Sequence, residues 1–287
     1  MRKRRYGAHT SVAGGLANGA REAIELGATA FQIFTRSPRM WNATPLSEPD
    51  IAELKRLRAE ADLRPLVIHG SYLVNLASGN PVNRRKSIVA FRDELERGAA
   101  IAADYLVFHP GSSKDHASPE EAIDAFGDAF AEAAEGVELG DLTILFENTA
   151  GGGASLGRTF EELRLIHETA SGRTRAPLGF CIDTCHTFAA GFDIAQPAIL
   201  EETLTVIDGL LGLDAVPVLH VNDSKTKCGS RLDRHARLGE GLIGWDAMER
   251  IVRHPRLADK ALILETPHDP DGTHTQGVEA LRRMLEA

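Results

Sequence analysis

Three cysteines in 287 residues, Cys181, Cys185 and Cys228, cannot all pair with one another. The chain therefore lacks a disulfide framework, which agrees with a reducing compartment. No apolar run approaches the ~18 residues that a bilayer-spanning helix needs, so no membrane partner is expected. Met1-Arg-Lys-Arg-Arg5 looks like the charged head of a secretory leader, but it runs straight into Tyr6-Gly-Ala-His-Thr10 with no hydrophobic segment behind it. A cytoplasmic location is the expectation. No composition break, Ser/Pro-rich linker or low-complexity tract divides the sequence, which predicts a single domain over residues 1–287. Positive charge is also short: 32 Lys and Arg stand against 41 Asp and Glu, a net charge of −9. Binding to phosphate usually calls for a basic footprint. That shortage excludes a nucleic-acid partner only if no cations are bound, because three divalent ions would add about +6 in one place.

What the chain does have is a regular alternation of short apolar runs and amphipathic segments. Tyr6 to His9 reads as a strand, and Gly14 to Gly27 carries Leu16, Ala20, Ala23 and Ile24 at helical spacing. Ala30 to Phe34 is a second strand, followed by a polar loop to Trp41 and a helix from about 48 to 60. Further strands are predicted over 66–68, 105–108, 143–146, 178–182, 217–219 and 261–264. Between them lie helices over 82–102, 118–135, 159–170, 198–211 and 245–253, and a closing helix carries Val278, Leu281 and Leu285. Ser118-Pro119-Glu120-Glu121 has the N-cap, first-turn proline and capping-box glutamate of a helix start. Eight such units imply an α/β fold: a parallel sheet with right-handed crossovers, closed into a single (β/α)8 TIM barrel, for which about 250 residues is typical.

Polar residues fall at a telling place in this pattern. His69, His109, Glu147, Asp183, His220 and Glu265 each follow the last apolar residue of a different strand. One histidine at a strand end is more often a hydrogen-bonded structural residue. Six successive strands ending in ligand-type side chains, with no Lys, Ser or Thr among them, predict a metal site at the C-terminal face of the barrel. His186 lies three residues beyond Asp183. In Asp233-Arg234-His235 an extended backbone turns the carboxylate and the imidazole to one face and Arg234 away, although Asp-x-His on its own is common on solvated loops. Nine donors exceed the roughly four that one Zn²⁺ takes, so they divide among two or three ions with carboxylates left to bridge. Such a cluster suits phosphoryl chemistry.

Phe108-His-Pro-Gly-Ser112, Glu147-Asn-Thr-Ala150, Cys181-Ile-Asp-Thr-Cys-His186, His220-Val-Asn-Asp-Ser-Lys225 and Gly229-Ser-Arg-Leu-Asp-Arg-His235 closely resemble the endonuclease IV family of apurinic/apyrimidinic endonucleases. Gly7-Ala-His-Thr-Ser11 and Leu262-Ile-Leu-Glu-Thr266 extend the resemblance to both ends. It implies a TIM barrel with three zinc ions, Mn²⁺ or Fe²⁺ being possible substitutes: His69, His109 and Glu147 at the first; Glu147, Asp183, His220 and Glu265 at the second; His186, Asp233 and His235 at the third. The implied reaction is hydrolysis of the phosphodiester 5′ to an abasic site in damaged duplex DNA, leaving a 3′-hydroxyl and a 5′-deoxyribose phosphate. Glu147 and Glu265 are the expected catalytic residues, the first bridging two ions around the attacking water and the second orienting that water. Arg39, Tyr72 and Leu73 match positions that enter DNA at the lesion, and a monomer is expected. Met40 and Ser113 depart from the family pattern, at positions where relatives carry a polar residue and a histidine.

Other features read as structural. Cys181 and Cys185 fit a core better than a thiolate site, and Gly151-Gly-Gly153 lacks the Gly-Lys-Ser/Thr ending of a nucleotide-binding loop. His116, His167, His254, His268 and His274 are assigned to the surface. The rival enzyme is a metal-dependent sugar isomerase or epimerase on the same barrel, and the set of His186, Asp233 and His235 argues against it. A zinc-holding or DNA-binding protein without turnover is the non-enzymatic rival.

Overall fold

Strands covered by helices on one face and by the barrel interior on the other must be apolar on both through their middle, as Val67 and Ile68, Leu106 and Val107, and Ile144 and Leu145 are. The computed structural model describes residues 4–286, so Met1 to Lys3 of the basic head lie outside the described residues. Its strands are β1 (Arg5–Ala8), β2 (Phe31–Ile33), β3 (Leu66–His69), β4 (Tyr105–Phe108), β5 (Thr143–Glu147), β6 (Leu178–Asp183), β7 (Val218–His220), β8 (Asp223–Ser224), β9 (His235–Ala236) and β10 (Ala261–Leu264). All but β8 and β9 pair in parallel, in the order β1-β10-β7-β6-β5-β4-β3-β2. A parallel bridge from His9 to Gln32 joins the two ends and closes the TIM barrel. At that seam the chains approach closely: a Cβ on Gly7 would collide with the carbonyl of Ala30, so no larger residue fits.

The helices are α1 (Leu16–Glu25), α2 (Glu48–Ala61), α3 (Pro81–Ala100), α4 (Pro119–Ala134), α5 (Phe160–Ser171), α6 (Thr184–Ala190), α7 (Pro197–Leu211), α8 (Trp245–Arg253) and α9 (Thr275–Glu286). The start of α4 is built as its sequence predicts. Ser118 Oγ accepts from Glu121 N at 3.2 Å and Glu121 Oε2 accepts from Ala117 N at 2.9 Å, a cap worth about 1 kcal/mol. Two elements were not expected. The short helix α6 leaves β6 directly, capped by Asp183, and β8 with β9 forms an antiparallel ladder above the barrel.

Alternation along each strand divides the core. Ala30, Val67, Val107, Leu145, Cys181, Val218 and Ile263 fill the barrel interior, while Phe91, Phe108, Phe126, Phe130 and Phe146 pack outside it under the helices. Two residues beyond those interior positions, on the same face and one layer higher, stand Gln32, His69, His109, Glu147, Asp183, His220 and Glu265. His9 completes the layer from β1. The floor of the site is thus an apolar plug, and its rim is polar on every strand.

Candidate metal centre

Glu147 is the centre of the rim. It is fully buried, and imidazoles surround it. Its Oε2 lies 3.4 Å from His69 Nε2 and 3.6 Å from His109 Nε2, and its Oε1 lies 3.0 Å from His220 Nδ1 and 3.3 Å from His186 Nδ1. Burial alone would raise its pKa, but His109 and His220 outweigh that and hold it well below the usual carboxylate range. The reciprocal effect appears on His69: burial opposes protonation, yet Glu147 and Glu265 push its pKa up to about 9. Pulls toward protonation against the cost of desolvation, as at His69, His186, His220 and His235, mark a local demand for positive charge, although at His109 burial prevails and lowers the pKa.

A divalent cation meets that demand better than protons do. Glu147 Oε2, His109 Nδ1 and His235 Nε2 are buried with no hydrogen-bond partner among the described residues, whereas buried polar atoms are normally satisfied. The histidines are also set as ligands are set. His69, His186 and His235 place Nδ1 against the main-chain oxygens of Gly70, Asn148 and Glu265, at 2.7, 2.9 and 3.2 Å. Donation to those oxygens turns each Nε2 toward carboxylates and fixes the tautomer in which an ion taking the place of the Nε2 proton would meet a lone pair, the arrangement that orients metal-binding imidazoles.

Three groups of donors converge, each with its ligand atoms within 4.8 Å of one another: His69, His109 and Glu147; Glu147, Asp183, His220 and Glu265; Asp183, His186 and His235. Asp233 joins the last, 3.3 Å from His186 Nε2 and 3.1 Å from His235 Nε2. Asp183 therefore stands between two groups rather than in one. Its Oδ1 accepts from His186 N at 2.7 Å, which is how α6 brings His186 back over the barrel. Cys185 also lies within reach of Asp233 and His235, but burial, with Asp183 adding to it, pushes its thiol up to about 12. A thiol that resists ionisation is a poor ligand.

The surrounding loops place the other expected residues near the opening. Tyr72 is 59% exposed, with its ring 5.5 Å from that of His69 and 5.6 Å from that of Phe34. Leu73 is half-buried beside it, and Arg39 and Met40 are exposed on the preceding loop. That loop is clamped from below. Buried Arg36 donates to the carbonyls of Met40 and Trp41, and Arg97 donates to those of Thr35 and Thr44, at 3.0 and 2.6 Å. Ser71 Oγ donates to Pro38 O at 3.0 Å and ties the two loops together.

A family profile for xylose isomerase-like TIM barrels matches residues 20–286. A probable endonuclease 4 of Solibacter usitatus is 49% identical over 98% of this chain and 96% of its own. The endonuclease 4 of Thermus thermophilus is 41% identical over 98% of each. The chain belongs to the endonuclease IV family. A crystal structure of endonuclease IV from Thermus thermophilus superposes with a TM-score of 0.86 at 40% identity, covering 98% of this chain and 99% of that one. A D-tagatose 3-epimerase-like protein also superposes, with a TM-score of 0.70 over 98% of this chain and 97% of its own, but at 21% identity. That likeness shows the shared barrel alone. Endonuclease IV proteins are metal-dependent, and the clustered donors here are of the kind that dependence requires. Among the described residues no helix is long and apolar enough to cross a membrane.

Sequence reasoning missed the residues that hold the donors in place. Asn222 donates to Asp183 Oδ2 at 2.6 Å and accepts from Glu265 N at 2.8 Å. Gln32 lies at hydrogen-bond distance from His9, His220 and Glu265. Arg231 lines a hollow of about 260 Å³ with His109, His186 and Asp233. The histidines assigned to the surface divide differently. His268 is exposed and His116 and His167 are half-buried, but His254 and His274 are buried. His254 is 2.9 Å from Glu201 Oε1 and accepts from Arg256 N, closing a helix end. His274 stacks on His268 at 4.4 Å, and burial, aided by His268, lowers its pKa to about 4.

Proposed function

We propose that the protein is a metal-dependent DNA repair endonuclease that hydrolyses the phosphodiester 5′ to an abasic site in duplex DNA, leaving a 3′-hydroxyl and a 5′-deoxyribose phosphate. The observation that carries the reading is the buried carboxylate of Glu147 with ring nitrogens of four histidines 3.0 to 3.6 Å from its oxygens, in a chain 41–49% identical to proteins named endonuclease 4. Three Zn²⁺ ions are assigned to nine residues, with His69, His109 and Glu147, then Glu147, Asp183, His220 and Glu265, then His186, Asp233 and His235 as their holders. Bound there, zinc supplies Lewis acidity toward phosphoryl oxygens and a nucleophilic water at neutral pH.

The chain's own groups supply the rest. Glu147 and Glu265 are the proposed catalytic carboxylates. Both are held ionised: burial opposes this in each, and is outweighed by His109 and His220 at Glu147 and by His220 at Glu265. Glu265 keeps an oxygen 3.2 Å from His220 Nδ1, at the same ring that faces Glu147, and is the carboxylate proposed to orient the water that attacks phosphorus. Tyr72 and Leu73 are proposed to wedge into the base stack, filling the gap left when the abasic nucleotide swings into the site. An abasic nucleotide has no base to unstack or unpair, so it swings out at lower cost than a normal one, which is a physical source of selectivity. Arg39 would hold phosphate nearby. The protein is read as a single domain working as a monomer in the cytoplasm, and the free cysteines at 181, 185 and 228 suit that compartment.

The test is cleavage of an end-labelled duplex carrying one abasic site, with zinc counted on the same preparation. A 3′-hydroxyl product, lost when metal is stripped and regained with zinc, is expected. Full cleavage by stripped protein, or a 3′-unsaturated aldehyde from β-elimination, would overturn the assignment. Replacing Tyr72 and Leu73 together by alanine is expected to keep zinc and trimming of frayed 3′ ends while reducing cleavage within a duplex at least tenfold, about 1.4 kcal/mol.

A further inference from the structure

Gln32 is where the seam of the barrel meets the metal ring. Its side chain is fully buried, two residues beyond inward-facing Ala30, and its backbone forms the bridge to His9 that closes the sheet. Every hydrogen bond of its amide ends on the rim. Nε2 donates to Glu265 Oε1 at 2.6 Å and lies 3.0 Å from His9 Nδ1, while Oε1 is 2.8 Å from His220 Nε2.

An amide oxygen can only accept, so the hydrogen between Gln32 and His220 must sit on His220 Nε2. The nitrogen of His220 that faces the carboxylates is then Nδ1, 3.0 Å from Glu147 Oε1 and 3.2 Å from Glu265 Oε2. His69, His186 and His235 are set the other way round, with Nδ1 against main-chain oxygens and Nε2 turned inward. Of these four rings, His220 alone takes its orientation from a side chain. The same amide holds Glu265 by its other end, so one residue sets two ligands.

We propose that Gln32 is a positioning residue for the ion held by Glu147, Asp183, His220 and Glu265, fixing the Nε2–H tautomer of His220 and the orientation of Glu265. This rests on the metal reading above. Partners of this kind typically contribute 10–100-fold to metal affinity.

The experiment uses the full-length zinc-loaded protein and two readouts other than turnover: release of zinc to a competing chelator, and the nitrogen-15 spectrum of the imidazoles. The native protein is expected to show His220 protonated at Nε2. Gln32→Met leaves that proton without an acceptor, so the signal is expected to lose its hydrogen-bonded shift and to exchange faster with solvent, and one ion is expected to be given up 10–100-fold more readily while the remaining ions are held as before. Gln32→Glu keeps an oxygen against His220 and is expected to keep the Nε2–H signal. A Gln32→Met protein that holds every ion as tightly as the native one overturns the proposal, as does a native spectrum with His220 protonated at Nδ1. If Gln32→Met does not fold, Gln32→Glu tests the other end of the amide, where its carboxylate faces Glu265 without a donor, and a Gln32→Glu protein that holds every ion as tightly as the native one overturns the proposal. Failure of the metal reading is distinct, because the native chain would then hold no zinc.

Discussion

Asp223 offers a test of how the loop bearing Asp233 and His235 is held. Its carboxylate is fully buried, and among the described residues its hydrogen bonds all come from main-chain N–H groups. Oδ1 accepts from Ser224 and Ile243 at 2.7 and 2.9 Å, and Oδ2 accepts from Gly239, Gly241 and Gly244 at 3.1, 3.0 and 3.2 Å. Asp223→Asn keeps the shape and turns one oxygen into a donor. Whichever way the amide is placed, at least two N–H groups then point at another N–H. At about 1–3 kcal/mol for each buried donor left unmet, the expected loss is roughly 4 kcal/mol, a large share of the ~5–15 kcal/mol that holds a domain folded. At about 2–4 °C per kcal/mol, Tm should fall by roughly 10 °C. Asp223 lies in β8, which pairs with β9 and so with His235, and the ion assigned to His186, Asp233 and His235 should be the first released to a chelator. Calorimetry and zinc release on the same samples make the measurement. Gly241→Ala should act alike, since a Cβ there would collide with Asp223 Oδ1 and the carbonyl of Ser224. An Asp223→Asn protein within about 1 kcal/mol of the native one would refute the reasoning, because the N–H groups would then have found other partners.

Three further outcomes are expected. Glu147→Gln puts an uncharged amide where two groups of donors share a carboxylate; elemental analysis should find fewer than three ions, and activity should fall beyond the ~100-fold usual for changes outside the ligand shell. In metal-stripped protein, His69 and His235 have pKa values near 9, raised by Glu147 and Glu265 at His69 and by Asp183 and Asp233 at His235, against the burial that lowers both. Their unfolded value is about 6.5, so the stability they contribute is complete below pH ~6.5 and is lost as pH rises through 9. Urea midpoints that rise over that window would contradict this, and zinc loading should abolish the effect. Arg97→Met removes two bonds to the carbonyls of Thr35 and Thr44 and one to Asp93. It should raise KM for abasic duplex about tenfold, roughly one charged hydrogen bond's worth, with zinc content unchanged, and an unaltered KM would show that the loop does not depend on the clamp.

The barrel and its rim were legible because both follow from a period of two. Val67 and His69, Val107 and His109, Leu145 and Glu147, Cys181 and Asp183, Val218 and His220, Ile263 and Glu265 are each one interior residue and the polar residue two beyond it. No tertiary information is needed to see that these point the same way. The ladder of β8 with β9 and the helix α6 were not legible, since each is shorter than the window over which periodicity speaks. Their existence depends on contacts distant in sequence, such as the N–H groups of 239–244 around Asp223. The histidines misplaced at the surface show the same limit from another side. His254 and His274 carry no apolar pattern of their own and are buried through partners distant in sequence or on a neighbouring turn, Glu201 at His254 and the ring of His268 at His274.

Gln32 is different, for its signal was present and went unused. Ala30 and Gln32 stand in the same relation as Val67 and His69, and the pattern that marked six strands marks this one equally. The difference lay in expecting only ligand chemistry at the rim: an amide does not look like a zinc donor, so the position read as strand and nothing more. Yet each of eight strands closing a barrel must place some side chain at that height, and a group beside buried carboxylates and imidazoles must match their hydrogen bonds. An amide, with a donor at one end and an acceptor at the other, suits a place between Glu265 and His220. A polar residue at the rim that cannot bind metal is therefore best read as the neighbour that decides how the ligands stand.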